Sequence, residues 1–319
     1  MRFKCKQELL MGSLQTAIKA ISSKAAMPIL EGALLEASDG MLSITCSDGN
    51  MSIITRLEAD IREEGRVVLP GRLLGEVVRR LPVGDVDVSI APNNAATLRC
   101  RGSRTTLAGF AAEEYPALPA LSAQSAVKLP QKELRDMIRQ TSFSIATDEA
   151  RPIFTGCLME VEPGGVNLVA LDGFRLALRR LELEHGAGEF NALIPGRSLN
   201  EVARILGDEG DVNLTLDRTH ISFEIGDTRV ITRMLEGEFI KYRSIIPTTW
   251  SCLVRVNRQE LAACIDRAAL LARDGKNNLM KFTVADNRMI ITSNSEMGDA
   301  YEELEAMHTG DGLEISFNI

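Results

Sequence analysis

Aromatic residues are scarce in this sequence, at 4% of 319 residues. Proteins that bind single-stranded nucleic acid usually stack bases on aromatic rings, so this composition disfavours such a surface. No stretch approaches the roughly 18 apolar residues of a membrane-spanning helix, and the N-terminal MRFKCKQELL lacks the apolar core of a signal peptide. We therefore expect a cytoplasmic protein.

Cysteine and histidine are too few and too scattered to indicate a metal or catalytic site. The six cysteines form no CxxC pair, and the three histidines have no metal-ligand spacing. No GxSxG elbow, phosphate-binding loop or GxGxxG fingerprint occurs. Asp-Gly pairs at 39–40, 48–49 and 172–173 lack the further oxygen ligands of a calcium loop and indicate hairpin turns. We predict no catalytic residues, no metal and no cofactor.

The chain repeats itself. Residues 67–82, VVLPGRLLGEVVRRLP, match residues 192–207, ALIPGRSLNEVARILG, at an offset of 125, and residues 31–49 match residues 155–173 at an offset of 124. A QEL or KEL tripeptide opens an amphipathic stretch at residues 7, 132 and 259. Self-similarity at a fixed period indicates tandem modules. We predict three of them, at residues 1–124, 125–249 and 250–319.

Within a module, helices and alternating strands follow one order. A helix is predicted over 6–20, followed by short strands with Gly/Asp turns. A second helix begins at Pro70, where the missing N–H of proline costs nothing. Two helices and about eight strands per module predict an α+β fold, with the helices packed on one face of antiparallel sheets.

Positive charge is concentrated in the predicted helical segments. The chain carries a net charge of −8, whereas five such segments together carry +11, so the remainder carries −19. These segments are 2–24, 70–80, 128–141, 195–205 and 255–273. A single basic helix face is most often solvated surface, but five net-positive segments in an acidic chain favour one shared polyanionic partner.

These motifs resemble the bacterial sliding clamps, the beta subunits of DNA polymerase III. The tandem LPGRxLxEVxRxL segments, the block MPILEGALLEASDGMLSITCSD and VALDGFRLAL carry the resemblance, which runs from Met1 to Ile319. It implies tandem DNA-clamp modules that form a ring by head-to-tail homodimerisation, with helices lining the hole. It also implies a non-enzymatic processivity factor that encircles double-stranded DNA without sequence preference. Expected partners are the replicative polymerase, the clamp loader and repair proteins.

The resemblance and the repeat-related basic positions together predict a DNA-facing surface. Its expected members are Lys24, Arg72, Arg79, Arg80, Arg135, Arg139, Arg151, Arg197 and Arg204. Holding DNA by encirclement needs no tight ion pairing, which reconciles an acidic chain with a DNA partner. The main alternative is a scaffold of the same modules that does not bind DNA, and an enzyme of unknown type is a more distant one. The basic helix faces argue against the scaffold.

The resemblance also implies a docking pocket for short, largely apolar partner motifs between the second and third modules. By alignment its wall is Phe154, Leu171, Gly173, Phe174, Arg175, Leu176, Ile240, Ser244 and Ile245. Without the resemblance, Leu171, Leu176 and Ile245 would be interpreted as ordinary core residues. Leu171, Ile240 and Ser244 depart from residues usual in the family, which predicts an altered pocket shape.

Alignment with the family also predicts the subunit interface and the extent of the third module. The ring interface would bring Val77 and Leu81 of one copy against Leu270 and Leu271 of another. Phe317–Ile319 aligns with the Pro-Gly-Arg that opens the second helix of the other modules. The third module is therefore expected to lack about 50 residues, leaving an open sheet edge and a weakened ring.

Overall fold

The polypeptide folds into two compact units, Met1–Phe239 and Ile240–Ile319. This computed structural model describes residues 1–22, 27–119, 121–122, 124–148, 150–183, 188–273 and 278–319. The α-helices of these ranges are α1 (Gln7–Ala17), α2 (Gly71–Arg80), α3 (Gln131–Thr141), α4 (Gly196–Ile205) and α5 (Arg258–Ala272). All five coincide with predicted helical segments.

Two repeats make up the first unit, and each runs strand, helix, strands, helix, strands. The first contains β1 (Arg2–Lys6), β2 (Gly32–Ser38), β3 (Met41–Ser47), β4 (Met51–Glu58), β5 (Asp60–Glu63), β6 (Gly65–Pro70), β7 (Asp85–Ile90), β8 (Ala96–Cys100) and β9 (Ser103–Leu107). The second contains β10 (Ser125–Pro130), β11 (Gly156–Glu162), β12 (Gly165–Leu171), β13 (Leu176–Glu182), β14 (Phe190–Pro195), β15 (Asp211–Leu216), β16 (His220–Ile225) and β17 (Thr228–Arg233).

Three antiparallel sheets hold these strands. One sheet has the order β5-β1-β7-β8-β9 and another the order β13-β12-β11-β14. The third is eight-stranded, with the order β10-β15-β16-β17-β4-β3-β2-β6. It passes from the second repeat to the first through the pairing of β17 with β4, where Val230 lies opposite Ile53. The two repeats therefore share one continuous sheet.

The helices pack in pairs on the sheets because each carries an apolar stripe. On α2, Leu74 and Val78 are buried at the i, i+4 spacing of one helix face, and on α3 Leu134 and Ile138 do the same. The buried Gln7 side chain links α1 to α2 by donating from Nε2 to the Val78 carbonyl at 2.8 Å. Helices on antiparallel sheets in tandem repeats confirm the predicted α+β class.

Residues 2–6 correct one part of the sequence interpretation. They were counted within a helical segment, 2–24, but form β1, with Phe3 and Cys5 buried and the residues between them facing outward. This alternation is the two-residue period of a strand. The starts of the other four segments also lie on strands, at 128–130, 255–256, Pro70 and Pro195.

The second unit is one antiparallel sheet with a helix packed on it. Its strands are β18 (Cys252–Val256), β19 (Leu279–Ala285), β20 (Arg288–Ser295), β21 (Gly298–Gly310) and β22 (Leu313–Asn318), in the order β18-β21-β20-β19-β22. Asn257 caps α5, because its side chain accepts hydrogen bonds from the amides of Gln259 and Glu260. Ala268 of the helix, Ile291 and Leu304 belong to one buried core.

A test of this packing uses Gly156, which starts β11. A Cβ there would lie 2.4 Å from the carbonyl oxygen of Ile194 and 2.8 Å from a methyl of Leu235. We expect Gly156→Ala to lower the free energy of unfolding by about 1–3 kcal/mol. In Gly12→Ala, on the exposed side of α1, the new Cβ meets nothing within 4 Å, so stability should rise by about 0.5–1 kcal/mol. Urea titration measures both, and an equal effect of the two changes would contradict the predicted clash.

Candidate functional site

The exposed face of α2 carries three of the predicted DNA-facing arginines. Arg79 and Arg80 both pair with Glu76, at 2.7 and 3.1 Å. Arg72 donates from Nη2 to the carbonyl of Ile21 at 3.0 Å. One carboxylate thus faces two guanidinium groups, and the helix retains net positive charge. All three arginines are exposed.

Two arginines one turn apart on α3 differ in their surroundings. Arg135 donates to the carbonyl of Leu206 and forms an ion pair with Asp208, and its side chain is only 14% exposed. The hydrogen bond from Arg135 holds the pKa of Asp208 below its usual range. Arg139 is exposed. Arg135 thus joins α3 to the loop after α4, whereas Arg139 faces solvent.

Helix α4 repeats the arrangement of α2, with an additional contact between the repeats. Arg204 pairs with Glu201 of its own helix. Arg197 pairs with Asp48, which lies in the turn between β3 and β4 and has a side chain that is largely buried. Since Asp48 belongs to the first repeat and Arg197 to the second, this ion pair lies across the junction that β17 and β4 form.

The remaining predicted basic positions are Arg151 and Lys24. Arg151 is exposed and precedes the short 3-10 turn Pro152–Phe154. Lys24 lies outside the described residues. The structure therefore describes eight of the nine predicted positions. Among the five of them that form ion pairs, Arg135 has the least exposed side chain.

Positive charges near the N-terminus are paired within the sheet. Lys4 and Lys6 of β1 contact Asp85 of β7 at 2.8 and 2.7 Å. Hydrogen bonds from Lys4 and then Lys6 lower the pKa of Asp85 to about 2. Arg2 lies 3.6 Å from Asp87 on the same strand. The assignment of these cations to a basic helix is wrong, because they lie on a strand and pair with aspartates of the neighbouring strand.

The first-unit residues of the predicted partner pocket surround a tight turn after β12. Asp172 accepts hydrogen bonds from the amides of Phe174 and Arg175 at 2.9 and 3.1 Å, and from Nε of Arg175 at 2.9 Å. Burial alone would raise the pKa of Asp172, but these donors outweigh it and hold the pKa below its usual value. Gly173 has a φ of +97°, which favours glycine.

The apolar side chains beside this turn differ in exposure. Leu171 is 3% exposed and belongs to the core, as its interpretation without the family resemblance predicted. Phe154 is also buried, and its ring meets Phe239 edge to face with centroids 6.1 Å apart. Leu176 is half-buried, whereas Phe174 is fully exposed. Phe174 thus projects into solvent, whereas Leu171 and Phe154 beside the turn are buried.

Three predicted pocket residues lie in the second unit. Ile240 is half-buried and precedes the 3-10 turn Tyr242–Ser244, in which the Tyr242 side chain is buried. Ser244 is exposed and donates from Oγ to the carbonyl of Lys241 at 2.7 Å. Ile245 is exposed, as is the neighbouring Trp250. This segment presents large apolar side chains to solvent.

The predicted subunit-contact residues also differ in exposure. Leu270 of α5 is 73% exposed, and Leu271 is half-buried. Val77 of α2 is half-buried, and Leu81 belongs to the core of the first unit. Leu270 is the one of the four with the most surface free to meet another chain.

Sequence reasoning did not identify two strands that carry opposite charge. β9 is the last strand of its sheet and holds Arg104, with Arg101 in the turn before it. β21 holds Glu302 and Glu303, which pair with Arg267 and Arg288. The repeat offset could have marked β9, because it is the counterpart of β17, which pairs across the internal junction.

The described part of the chain contains no cluster of three or more His, Cys, Asp or Glu side chains able to hold a metal ion. Nor does any helix within the described ranges have the length and apolarity to span a membrane.

Three family descriptions match the chain. They are the N-terminal domain of the DNA polymerase III beta subunit at residues 1–119, its central domain at residues 128–241 and its C-terminal domain at residues 243–319. The beta sliding clamp of Bacillus subtilis (strain 168) is 35% identical over 331 residues, which cover 100% of this chain and 88% of that protein.

Solved structures agree with these matches. The DNA polymerase sliding clamp from Bacillus subtilis superposes with a TM-score of 0.95 at 34% identity, over 100% of this chain and 87% of that one. The sliding clamp from Pseudomonas aeruginosa bound to griselimycin superposes with a TM-score of 0.93 at 26% identity, over 100% and 87%. The fold and the repeats thus define a clamp built of tandem α+β modules.

The chain belongs to the DNA polymerase III beta subunit family, the bacterial sliding clamps. It is a processivity clamp and not an enzyme, so the family resemblance and the functional class predicted from the sequence are confirmed.

The contrast on α3 gives a prediction about stability. Arg135→Ala should lower the melting temperature by about 2–4 °C, because it removes an ion pair and leaves the Leu206 carbonyl without this donor. Arg139→Ala, one turn away, should leave it unchanged. The Arg135→Ala deficit should shrink as pH falls through the depressed pKa of Asp208, since protonation removes the same ion pair in the parent. Calorimetry at several pH values measures this, and equal melting temperatures for the two variants would contradict the structural role of Arg135.

Proposed function

We propose that two copies of this chain form a head-to-tail ring in the cytoplasm that encircles double-stranded DNA and tethers the replicative polymerase, the clamp loader and repair proteins to it. Each copy would contribute three modules, at residues 1–124, 125–249 and 250–319. The observation that carries the proposal is the repeated basic helix face, on α2, α3 and α4, in a chain whose remainder is strongly acidic.

The DNA-facing surface of this proposal comprises the predicted arginines and Lys24. Seven of the eight described ones are exposed, and three of these pair with a glutamate of their own helix, Arg79 and Arg80 with Glu76 and Arg204 with Glu201. Exposed ion pairs are worth only about 0–1 kcal/mol, so a passing phosphate can replace the carboxylate at little cost. Weak and exchangeable contacts suit a ring that slides, because no single contact holds it in register.

A charge-matched pair of variants tests DNA encirclement. The helix variant changes four arginines to Glu: Arg72, Arg79, Arg139 and Arg204. We expect its retention time on a circular nicked plasmid to be at least about tenfold shorter, because glutamates repel the DNA phosphates. The control changes Arg56, Arg66, Arg180 and Arg229 to Glu. These four lie on β4, β6, β13 and β17, and three of them pair with glutamates.

Retention is measured by gel filtration of loaded plasmid at two salt concentrations, after both variants are shown to be folded by circular dichroism. Equal retention of the helix variant and the parent would refute the DNA-facing assignment. An equal loss in both variants would mean that net charge, and not the helix face, governs retention.

The partner pocket of this proposal combines Phe154, Leu171, Gly173, Phe174, Arg175 and Leu176 of the first unit with Ile240, Ser244 and Ile245 of the second. Support comes from Phe174 and Ile245, which are both exposed and can anchor a short apolar motif, and from Arg175, which follows Phe174 in the chain. The related Pseudomonas aeruginosa clamp, which was solved bound to griselimycin, supplies a ready probe.

Griselimycin binding tests the pocket. We expect Phe174→Ala and Ile245→Ala each to weaken binding by about tenfold, because each removes an exposed apolar anchor. Phe143→Ala is the matched control, since Phe143 is also an exposed phenylalanine of the first unit but is not among the pocket residues. Titration calorimetry measures the dissociation constants. Unchanged affinity in both pocket variants, or no binding by the parent, would reject the pocket.

The subunit interface of this proposal includes Val77 and Leu81 of one copy and Leu270 and Leu271 of the other. The exposed Leu270 supports it, because large apolar side chains left in water favour association. The basic edge at β9 and the acidic strand β21 supply complementary charge for the same head-to-tail contact.

A further inference from the structure

The junction inside the first unit shows how one module contacts the next. β17 pairs with β4, and beyond the paired residues the amide of Arg233 donates to the carbonyl of Asn50 at 2.8 Å. Asn50 lies in the turn between β3 and β4, two residues after Asp48, which pairs with Arg197 at the start of α4. The β3–β4 turn of one module therefore sits between the last strand and the second helix of the next.

The first module has the equivalent last strand, β9, and the equivalent second helix, α2. Among the described strands, β9 pairs only with β8, so its outer edge is unpaired. β9 corresponds to β17 at an offset of 125. The chain just after each strand makes the same contact, because Phe110 exchanges backbone hydrogen bonds with Val68, and the amide of its counterpart Leu235 donates to the carbonyl of Leu193, the counterpart of Val68. Phe110, three residues after the end of β9, lines a groove of about 640 Å³. Its walls include Pro28, Ile29, Gly71, Arg72, Leu73 and Phe110. Leu73 and Phe110 are each about half exposed.

The second unit carries the matching turn. In the first module, Ser47 of β3 lies opposite Ser52 of β4. In the second unit, Asn294 of β20 lies opposite Asp299 of β21, so both residues follow their counterparts by 247 positions. Met297 thereby occupies the place of Asn50. It is 80% exposed, at the tip of the turn between β20 and β21.

The turn of the second unit and the groove of the first module are both more apolar than the corresponding parts of the internal junction. Asn50 and Ser198 are polar, and Ser198 is buried, with its Oγ 2.7 Å from that of Thr232. Their counterparts, Met297 and Leu73, are apolar and exposed. Modules within one chain are held together covalently, whereas separate chains need added apolar burial to associate. The two apolar residues at these repeat-related positions together indicate that Met297 and Leu73 become buried against a second chain.

We propose that Met297 of a second copy of this chain inserts into the groove at Leu73 and Phe110, beside the edge of β9. This rests on the proposed homodimeric ring and names one contact within it. If β9 takes the place of β17, and β21 of the second copy takes the place of β4, the same register sets Ser103 opposite Glu302 and Arg104 opposite Tyr301 of the second copy. Arg101 and Arg104 then approach an acidic strand, so charge and apolar contact favour the same alignment.

Association of the full chain tests the insertion. Met297→Asp should raise the dimer dissociation constant by about tenfold or more, as should Leu73→Asp, because each places a charge in an apolar contact. Met307→Asp is the control. Met307 is also an exposed methionine of the second unit, but it lies far along β21, opposite Arg255 of its own sheet. Sedimentation velocity over a concentration series gives the constants.

A covalent test does not depend on how the substitutions affect folding. Leu73→Cys combined with Met297→Cys should give a disulfide-linked dimer on mild oxidation, and Leu73→Cys with Met307→Cys should not. Five native cysteines are buried and Cys252 is half-buried, which keeps the background low.

A parent that dimerises, with Met297→Asp unchanged and no disulfide between positions 73 and 297, would overturn the insertion and leave the ring intact. A parent that stays monomeric at every concentration would overturn the proposed homodimer, and the insertion with it. A cross-link together with a weakened dimer would establish the contact.

Discussion

The antiparallel pairing of β17 with β4 is the interaction on which the first unit depends. Without it, each repeat would end in an open strand edge, with unpaired amides and carbonyls that invite aggregation. With it, eight strands form one sheet, and Val230 and Ile53 meet in the core at 0% exposure. The same pairing brings the β3–β4 turn to the start of α4, so that Arg197 reaches Asp48. Once modules join by strand pairing, any further module presents the same edge, which is a physical basis for assembling a ring from repeats.

Charge is distributed according to structural element. On α2 and α4, Arg79 and Arg204 pair with a glutamate three residues away, while Lys4 and Lys6 of β1 pair across the sheet with Asp85. Hydrogen bonds from Lys4 and Lys6 lower the pKa of Asp85 to about 2, so this carboxylate stays charged to a lower pH than an ordinary aspartate. An exposed helix pair such as Arg79–Glu76 separates at little cost, so the helix face offers exchangeable positive charge to a polyanion.

Apolar surface is distributed just as unevenly. Phe174, Leu270 and Met297 are among the most exposed large hydrophobic residues, and each lies at a surface proposed to meet a partner. Phe174 is held out by a turn that Asp172 closes with three hydrogen bonds, so its exposure is built into the backbone. A chain that keeps several such groups in water does so at a cost in solubility, which association with partners offsets.

The sequence by itself determined the repeat, the positions of the helices and the α+β class, because these follow from local patterns. Pro70 and Gly71 open α2, and Leu74 and Val78 recur at the helical period. The local pattern also contained the strand at residues 2–6, where Phe3 and Cys5 alternate with basic residues, but net charge was counted without regard to that period.

What only the tertiary structure decided concerns partners far apart in the chain. Arg135 and Arg139 look alike on a helical wheel, yet Arg135 bonds to Leu206 and Asp208, more than 70 residues away, whereas Arg139 faces solvent. Leu171 shares its neighbourhood with Phe174, but one is core and the other fully exposed. Helical and strand periods specify which side chains share a face. Burial and ion pairing depend on which other element covers that face, and that choice is made only when distant segments pack.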